Sequence, residues 1–254
     1  RIKKKISGRF NILIYIYIDM NVLKVRDPFS KYKIKHKMFD IPFSLIIVGK
    51  SELSGKTNFI TNLLLNKQFG YEGVWNGEDI YIISASIHND HKIKVIKRNL
   101  EIPSANMILT EIYGMIKDNY ELAVQENMKP VQSLMIFDDI SYGRTLKKKG
   151  SIIEKIFSNG RHLLISVITT CQSYTSLLTE CRENSKGVIL FDMSSRQLEL
   201  VMDDHNSVDR KQFKKAYRDC ASKEPYSFMV VNYSNHPNER FLNKHFEPIN
   251  FENY

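Results

Sequence analysis

Apolar and polar positions alternate between two rhythms along the 254 residues. Short, continuous apolar runs at residues 43–48 (FSLIIV), 79–85 (DIYIISA), 133–137 (SLMIF), 164–170 (LISVITT), 187–193 (GVILFDM) and 226–233 (YSFMVVNY) predict buried strands, with a further short one at 105–110. Between them the spacing turns helical. Phe59, Ile60, Leu63 and Leu64 fall at i, i+1, i+4 and i+5 and predict a helix over 57–66. Helices are also predicted over 112–126 and 212–220, and through Ile152, Ile153, Ile156 and Phe157, where Asn159-Gly160 supplies a left-handed stop. Unbroken apolar strands separated by helices imply an α/β fold, with a mostly parallel central sheet flanked by helices on both faces.

The first predicted strand runs into Gly49, and Gly55-Lys56-Thr57 opens the helix after it. This is nearly the phosphate-binding pattern G-x-x-x-x-G-K-[ST], with one residue too many between the glycines. Glycine permits the tight turn, and N–H groups at a helix start point towards phosphate oxygens. The candidate nucleotide-binding residues are Gly49, Lys50, Ser51, Ser54, Gly55, Lys56, Thr57 and Asn58. Lys56 would neutralise β- and γ-phosphate charge, and the Thr57 hydroxyl would bind Mg²⁺. The extra residue can bulge outward at modest cost. Nucleotide binding is expected; Glu52 brings negative charge near the phosphates and leaves weakened affinity or turnover open.

Two more strand ends carry suitable chemistry. MIFDDI ends at Asp138, which would hold Mg²⁺ through water, and Asp139, which would polarise an attacking water. Adjacent carboxylates repel unless a cation lies beside them. ISVITTCQSY delivers Thr170 and Gln172, and a carboxamide there could bond the γ-phosphate or the water. Ligands of open α/β sheets collect at the carboxyl edge, where all three strand ends would meet.

Charge adds one feature. Net charge is +9, and Arg1, Lys3, Lys4, Lys5, Arg9, Lys24, Arg26, Lys31, Lys33, Lys35 and Lys37 face only Asp19, Asp27 and Asp40 within residues 1–40. Such an arm suits a polyanion, an acidic partner or a membrane surface, or is a solvated terminus. Residues 10–18 (FNILIYIYI) fall short of the ~18 apolar residues that span a bilayer. They read as an edge strand or as accidental sequence. No small-residue cleavage site follows them, and Met20 is a candidate natural start. Cys171, Cys181 and Cys220 lack metal-ligand spacing and are expected as small buried side chains in a reducing compartment. No internal repeat or low-complexity linker divides the chain. The expected organisation is a basic leader (1–38), one core (39–235) and a tail (236–254).

The combination FDIPFSLIIVGK…SGKTNFITNLL, LMIFDDI and IFSNGRHLLISVITTCQSY resembles the FtsK–HerA superfamily of P-loop ATPases. Within it, the likeness is to genome-packaging ATPases of large DNA viruses, those of poxviruses, giant viruses and virophages. It covers about residues 39–235. The resemblance implies a RecA-like fold of the ASCE type and a homo-oligomeric ring, pentameric or hexameric. It further implies ATP and Mg²⁺ as cofactors and double-stranded DNA as a partner, pumped into a capsid. A capsid or vertex protein would be a docking partner, and the virion or the host-cell cytoplasm (a viral factory) the location, with no secretion and no transmembrane segment. By position, Lys56 and Thr57 match Walker A, Asp138 and Asp139 Walker B, and Gln172 the sensor. Asp139, Gln172 and Lys56 are therefore the candidate catalytic residues, and Thr57 and Asp138 the metal ligands.

Ring ATPases commonly complete each site with a neighbour's arginine. Arg161, in the family's G-R segment, is the first candidate and Arg182 the second. Arg144, Lys147, Lys148 and Lys149 are the candidate DNA contacts, since phosphate binding needs charge but no base reading. A second basic segment lies at 91–98. Trp75, His162 and the aromatic residues of 241–254 are expected to pack or to mediate subunit contacts. Two alternatives stay open: a helicase or conjugation-type motor of the same superfamily, and a nucleotide-dead DNA-binding or capsid-associated scaffold, motivated by the lengthened loop with Glu52.

Overall fold

A computed structural model describes residues 28–50, 54–84, 90–103, 108–139 and 150–254. The chain separates into two units, Arg1–Lys31 and Tyr32–Tyr254. Of the first, only the start of a 3₁₀ turn, Pro28–Tyr32, is described. Residues 10–18 and Met20 lie outside the described residues.

The second unit is built on a seven-stranded sheet in the order β2-β3-β4-β1-β5-β6-β7. Its strands are β1 (Ser44–Val48), β2 (Ile80–Ser84), β3 (Ser133–Asp138), β4 (Ile165–Cys171), β5 (Gly187–Leu190), β6 (Met229–Asn232) and β7 (Phe241–Leu242). The first five run parallel, whereas β6 and β7 each pair antiparallel to their neighbour. The helices are α1 (Lys56–Leu65), α2 (His91–Asn99), α3 (Leu109–Gln125), α4 (Ile152–Asn159), α5 (Thr179–Glu183), α6 (Ser195–His205) and α7 (Arg210–Tyr217).

Two-sided burial explains why the strands read as unbroken apolar runs. Successive side chains point to opposite faces. Ile46, Val48, Met135, Phe137, Val167, Val188 and Leu190 pack with residues of α3, α4, α6 and α7 in one core. Leu45, Ile47, Leu134, Ile136, Ile168 and Ile189 pack with α1, Ile96 of α2 and the Phe39, Phe43, Tyr71 and Trp75 rings in the other. Trp75 is thus a packing residue, edge-on to Phe43 and stacked on Tyr71. The C-terminal aromatics pack as well: Phe241 is buried against Phe213, and Phe251 sits edge-on to Phe241. Burial would raise the pKa of Asp40, but the His36 N–H at 3.0 Å and the Lys33 and Lys35 ammonium groups at 2.9 and 3.0 Å bring it down to about 2. Cys171 and Cys181 are buried and Cys220 is half-buried. Among the described residues, no helix is long and apolar enough to cross a membrane.

Several element boundaries differ from the sequence reading. Leu109 and Thr110 open α3 rather than ending a strand, because the Glu111 carboxylate accepts from the Ile108 N–H and starts the helix there. Residues 105–107 lie outside the described residues. Gly160 is right-handed, and the chain runs on into a 3₁₀ turn, Gly160–Leu163; the left-handed residue is Leu164, φ 58°. α6 goes unannounced by apolar spacing but has a legible start, since the Ser194 hydroxyl accepts from the Gln197 N–H. The run at 226–233 contributes only its middle to β6, since Tyr226 takes φ 62°. β5 likewise stops at Leu190, short of 193.

Packing tolerance differs sharply between two glycines. At Gly187, where β5 begins, an added Cβ would lie 2.4 Å from Phe39 Cε1 and 2.9 Å from Leu45 Cδ1, both fully buried. Gly187→Ala is expected to destabilise by about 1–3 kcal/mol through overpacking. Gly114, in the interior of α3, has nothing within 4 Å of that position, and Gly114→Ala should stabilise by about 0.5–1 kcal/mol. Urea unfolding of the two variants checks both signs.

Candidate nucleotide site

Strand register brings the polar residues together. Ile46 is level with Thr169 and Val48 with Cys171, while Phe137 is level with Thr169. The ends of β1, β3 and β4, at Val48, Asp138 and Cys171, therefore lie along one rim. There Ser54, Gly55, Lys56, Thr57, Asp138, Asp139, Thr170 and Gln172 line a single cleft of about 220 Å³.

The loop into α1 is shaped by close contacts. A Cβ on Gly49 would lie 2.7 Å from that of Phe191. The Gly49 N–H extends the ladder to the Cys171 carbonyl, and the Lys50 N–H reaches the Asp192 carbonyl. Gly55 has φ 94°, a conformation that glycine adopts without cost, and its carbonyl accepts from the Phe59 N–H at 2.8 Å. Residues 51–53, which include Ser51 and Glu52, lie outside the described residues.

The Lys56 side chain is buried and turns back into the loop. Its ammonium donates to the Gly49 carbonyl at 3.0 Å, to the Ser54 hydroxyl at 3.1 Å and to the Lys50 carbonyl. Burial lowers its pKa, and the nearby Asp139, Cys171 and Asp138 oppose the shift. Across the cleft, burial raises the Asp138 pKa; the Thr170 hydroxyl and Lys56 oppose this, and Asp90 and Asp139 add to it. Thr170 holds the acidic pair: its hydroxyl donates to Asp138 Oδ1 at 2.8 Å and accepts from the Asp139 N–H at 2.9 Å. Asp139 bends to φ 48°, and its Oδ1 accepts from Gln172 Nε2 at 2.9 Å. A buried cation and a buried carboxyl, each disfavoured in its charged form, face one another across space able to take charged groups of both signs.

Other candidates stand elsewhere. Asn58 is exposed, with its carbonyl bonded to the Asn62 side chain, and does not line the cleft. Lys50 contributes its carbonyl, while its ammonium pairs with Asp192. Arg161 lies at the opposite, amino-terminal edge of the strands, in a groove with Pro42, Ser44, Ile165 and Lys186. Its Nε donates to His162 at 3.2 Å. Arg182 pairs with Asp204, donates to the Thr179 hydroxyl and lies over the Tyr174 ring at 4.9 Å. Arg144, Lys147, Lys148 and Lys149 fall outside the described residues. The cleft also includes Asp90, Lys92 and Tyr226, which sequence reading missed. Asp90 had a signal: it caps α2, accepting from the Lys92 N–H at 2.7 Å, ahead of Ile93 and Ile96 at helical spacing. Tyr226 had none.

Arg182 borders a buried network. Tyr174 donates to Asp204 at 2.9 Å and bonds His205 Nε2, while Nδ1 of His205 meets the Tyr233 hydroxyl at 2.6 Å. A neutral imidazole satisfies all three: Nε2–H donates to Tyr174, and Nδ1 accepts from Tyr233. Burial pushes His205 down to about 4, which Asp204 opposes and Arg182 reinforces. The folded state thus binds fewer protons than the unfolded chain between about pH 4 and the usual 6.5. His205 therefore contributes stability that is fully present above pH 6.5 and is lost as pH falls towards 4, on the order of 3 kcal/mol. His205→Gln should flatten that part of the pH–stability curve, measured by urea unfolding from pH 8 to 4; an unchanged slope would discount the residue.

Residues 30–234 match the family described as Poxvirus A32 protein. The chain is 26% identical over 198 residues to the DNA packaging protein OPG160 of Monkeypox virus, covering 76% of this chain and 63% of that protein. It is 26% identical over 171 residues to the Vaccinia virus (strain Copenhagen) protein of the same name, covering 66% and 60%. The match thus spans less than two thirds of these relatives' length. Among solved structures, the genome packaging NTPase B204 from Sulfolobus turreted icosahedral virus 2, in complex with AMPPCP, superposes with a TM-score of 0.51 at 13% identity, over 76% of this chain and 93% of that one. EssC (ATPases 2 and 3) from Geobacillus thermodenitrificans gives 0.51 at 13% identity, over 75% and 38%. At such identities the structural likeness establishes the fold alone, a mostly parallel sheet flanked by helices on both faces. With the family match covering most of its length, the chain belongs to the Poxvirus A32 protein family.

Proposed function

We propose that this chain is a nucleoside-triphosphate-driven motor that packages double-stranded viral DNA into a capsid. The observation that carries the reading is the convergence of Lys56, the Asp138–Thr170–Asp139 unit and Gln172 on one cleft, in a family whose matched relatives are named DNA packaging proteins. ATP is the proposed substrate. In this reading Lys56 exchanges its loop carbonyls for β- and γ-phosphate oxygens. N–H groups at the start of α1 add partial positive charge.

The residues present also fit a magnesium ion. Among the described residues no cluster of three or more His, Cys, Asp or Glu could hold a metal by itself. Magnesium in such sites takes one or two protein ligands and completes its shell with water and phosphate oxygens. Thr57 and Asp138 would be those ligands, and the bound ion would offset phosphate charge. Asp138 would then be ionised, its burial compensated. Asp139 and Gln172, already bonded to each other, orient and polarise the attacking water. Thr170 keeps the two carboxyl groups in separate roles by bonding one side chain and the other's backbone.

In a homo-oligomeric ring, Arg161 is the better-placed of the two arginines to act on a neighbour's site, since Arg182 is engaged by Asp204 and Tyr174. Arg161 makes no ion pair among the described residues. The basic segment holding Arg144 and Lys147–Lys149 is proposed to contact DNA phosphates, an interaction weakened by salt. Pairing with a capsid or vertex protein, and residence in the virion or viral factory, follow from the same proposal.

The purified chain is expected to hydrolyse ATP, faster with long duplex DNA, and Lys56→Ala should abolish turnover in a phosphate-release assay. Equal activity of variant and parent would remove the assignment. Asp139→Asn should lower kcat by roughly 10²–10⁴ with little change in KM, the size expected for a positioned general base. Thr170→Val should reduce kcat in the same direction while leaving nucleotide affinity nearly unchanged.

A further inference from the structure

The triphosphate cleft continues into a second cavity that the proposed chemistry leaves unused. This cavity, about 330 Å³, lies beyond the ends of β5 and β6 and is bordered by Lys50, Asp192, Ser222, Glu224 and Tyr226. Ser54 and Tyr226 line both spaces and mark where they join. Strand order fixes their relation. The acidic pair and Gln172 follow β3 and β4, on one side of β1 and its loop, whereas Asp192 and Tyr226 lie on the β5 and β6 side. A triphosphate on this loop with its γ end at Asp139 and Gln172 must leave its nucleoside on the Asp192 and Tyr226 side.

Tyr226 itself is unusual. It is 52% exposed although it is large and aromatic, and it holds φ at 62°. For a bulky residue that conformation is strained, and such strain concentrates at ligand-binding positions. The ring rests beside Gly55: a Cβ there would fall 3.1 Å from Tyr226 Cδ1 and 3.1 Å from Phe191 Cε1. A Cβ at 55 would make the two rings give by a few tenths of an ångström. The remaining polar groups are largely paired with each other: Asp192 with Lys50 and with the Ser222 hydroxyl, and Glu224 with Lys244. A flat ring face beside phosphate-binding backbone, within a cavity of mutually satisfied polar side chains, suits a nucleobase held by stacking more than by edge hydrogen bonds.

We infer that Tyr226 is the stacking platform for the base of the bound nucleoside triphosphate, and that the cavity beyond the ends of β5 and β6 is the nucleoside subsite. The inference rests on the phosphate-cleft reading above and extends it to the other end of the same ligand. Tyr226 acts as a positioning residue, since it anchors the base while the reacting phosphate lies across the loop.

The test separates the two ends of the ligand. Binding of ATP and of inorganic tripolyphosphate, each with Mg²⁺, is measured by calorimetry for the full chain and for Tyr226→Ala, Tyr226→Phe and Lys56→Ala. Because Tyr226 is half exposed, neither of its substitutions removes core packing. Tyr226→Ala should weaken ATP roughly tenfold and leave tripolyphosphate unchanged, as expected for the loss of one base–aromatic stack. Tyr226→Phe should retain ATP affinity. An equal loss of both ligands in Tyr226→Ala, or no loss of either, would overturn the stacking role while leaving the phosphate cleft intact. Lys56→Ala should weaken both ligands; if it weakens neither, the phosphate reading fails and the subsite with it.

Discussion

The Thr170 hydroxyl ties together two adjacent acidic residues, through the side chain of one and the backbone of the other, and the site is organised around it. Its hydrogen goes to Asp138 and its lone pair to the Asp139 N–H, so the last residue of β3 and the one after it are fixed from the end of β4. Asp138 stays in line with its strand and is buried, while Asp139 turns to φ 48° and swings towards Gln172. Two identical side chains therefore enter different environments. One lies in a low-dielectric position suited to a cation; the other sits at the cleft wall beside a carboxamide. Parallel pairing of β3 with β4 is what makes this possible, because it delivers both strand ends to the same rim in register.

The charge distribution within the cleft is unfinished business for the chain alone. Among the described residues Lys56 bonds carbonyls and a hydroxyl rather than a carboxylate, and burial works against its charge as it does against that of Asp138. Each group has its charged form disfavoured by the same dry surroundings that would strengthen its interaction with a ligand. An anion at Lys56 and a cation at Asp138 relieve both penalties together. Preorganised, poorly solvated charge of this sort is the usual form of electrostatic catalysis. Two cores, one on each face of the sheet, hold the rim rigid enough to maintain it.

Beyond the cleft, the loop after β4 leads directly into a buried polar network. Two residues past Gln172, the Tyr174 N–H donates to Gln197 of α6, and its hydroxyl reaches Asp204 and His205 at the far end of that helix. The segment carrying the proposed sensor is thereby fastened along α6, with Arg182 laid over the Tyr174 ring. Arg161 faces the other way, in the groove at the amino edge with Lys186, whose pKa is lowered by burial and by the nearby Lys33 and Arg161. The two arginines that sequence treats alike thus have different environments, one closed by a carboxylate and an aromatic ring, the other open to whatever approaches that edge.

Sequence alone made the fold class and the candidate site residues legible, because both are written in local signals. Apolar runs such as SLIIV and SLMIF mark strands buried on two faces, and G-K-T after one of them marks the loop where backbone N–H groups converge. Asp138, Asp139 and Gln172 could be named for the same reason: each follows a recognisable strand. Only the tertiary structure decided that Asp90, Lys92 and Tyr226 join the cleft, that Arg182 is occupied, and that Arg161 lies on the opposite edge. Those facts depend on strand order and on loops brought together from distant parts of the chain. A left-handed Tyr226 beside Gly55, 171 positions earlier in the sequence, leaves no trace in any window of neighbouring residues. Periodicity reports which face of an element is buried; which elements stand next to one another is settled by packing.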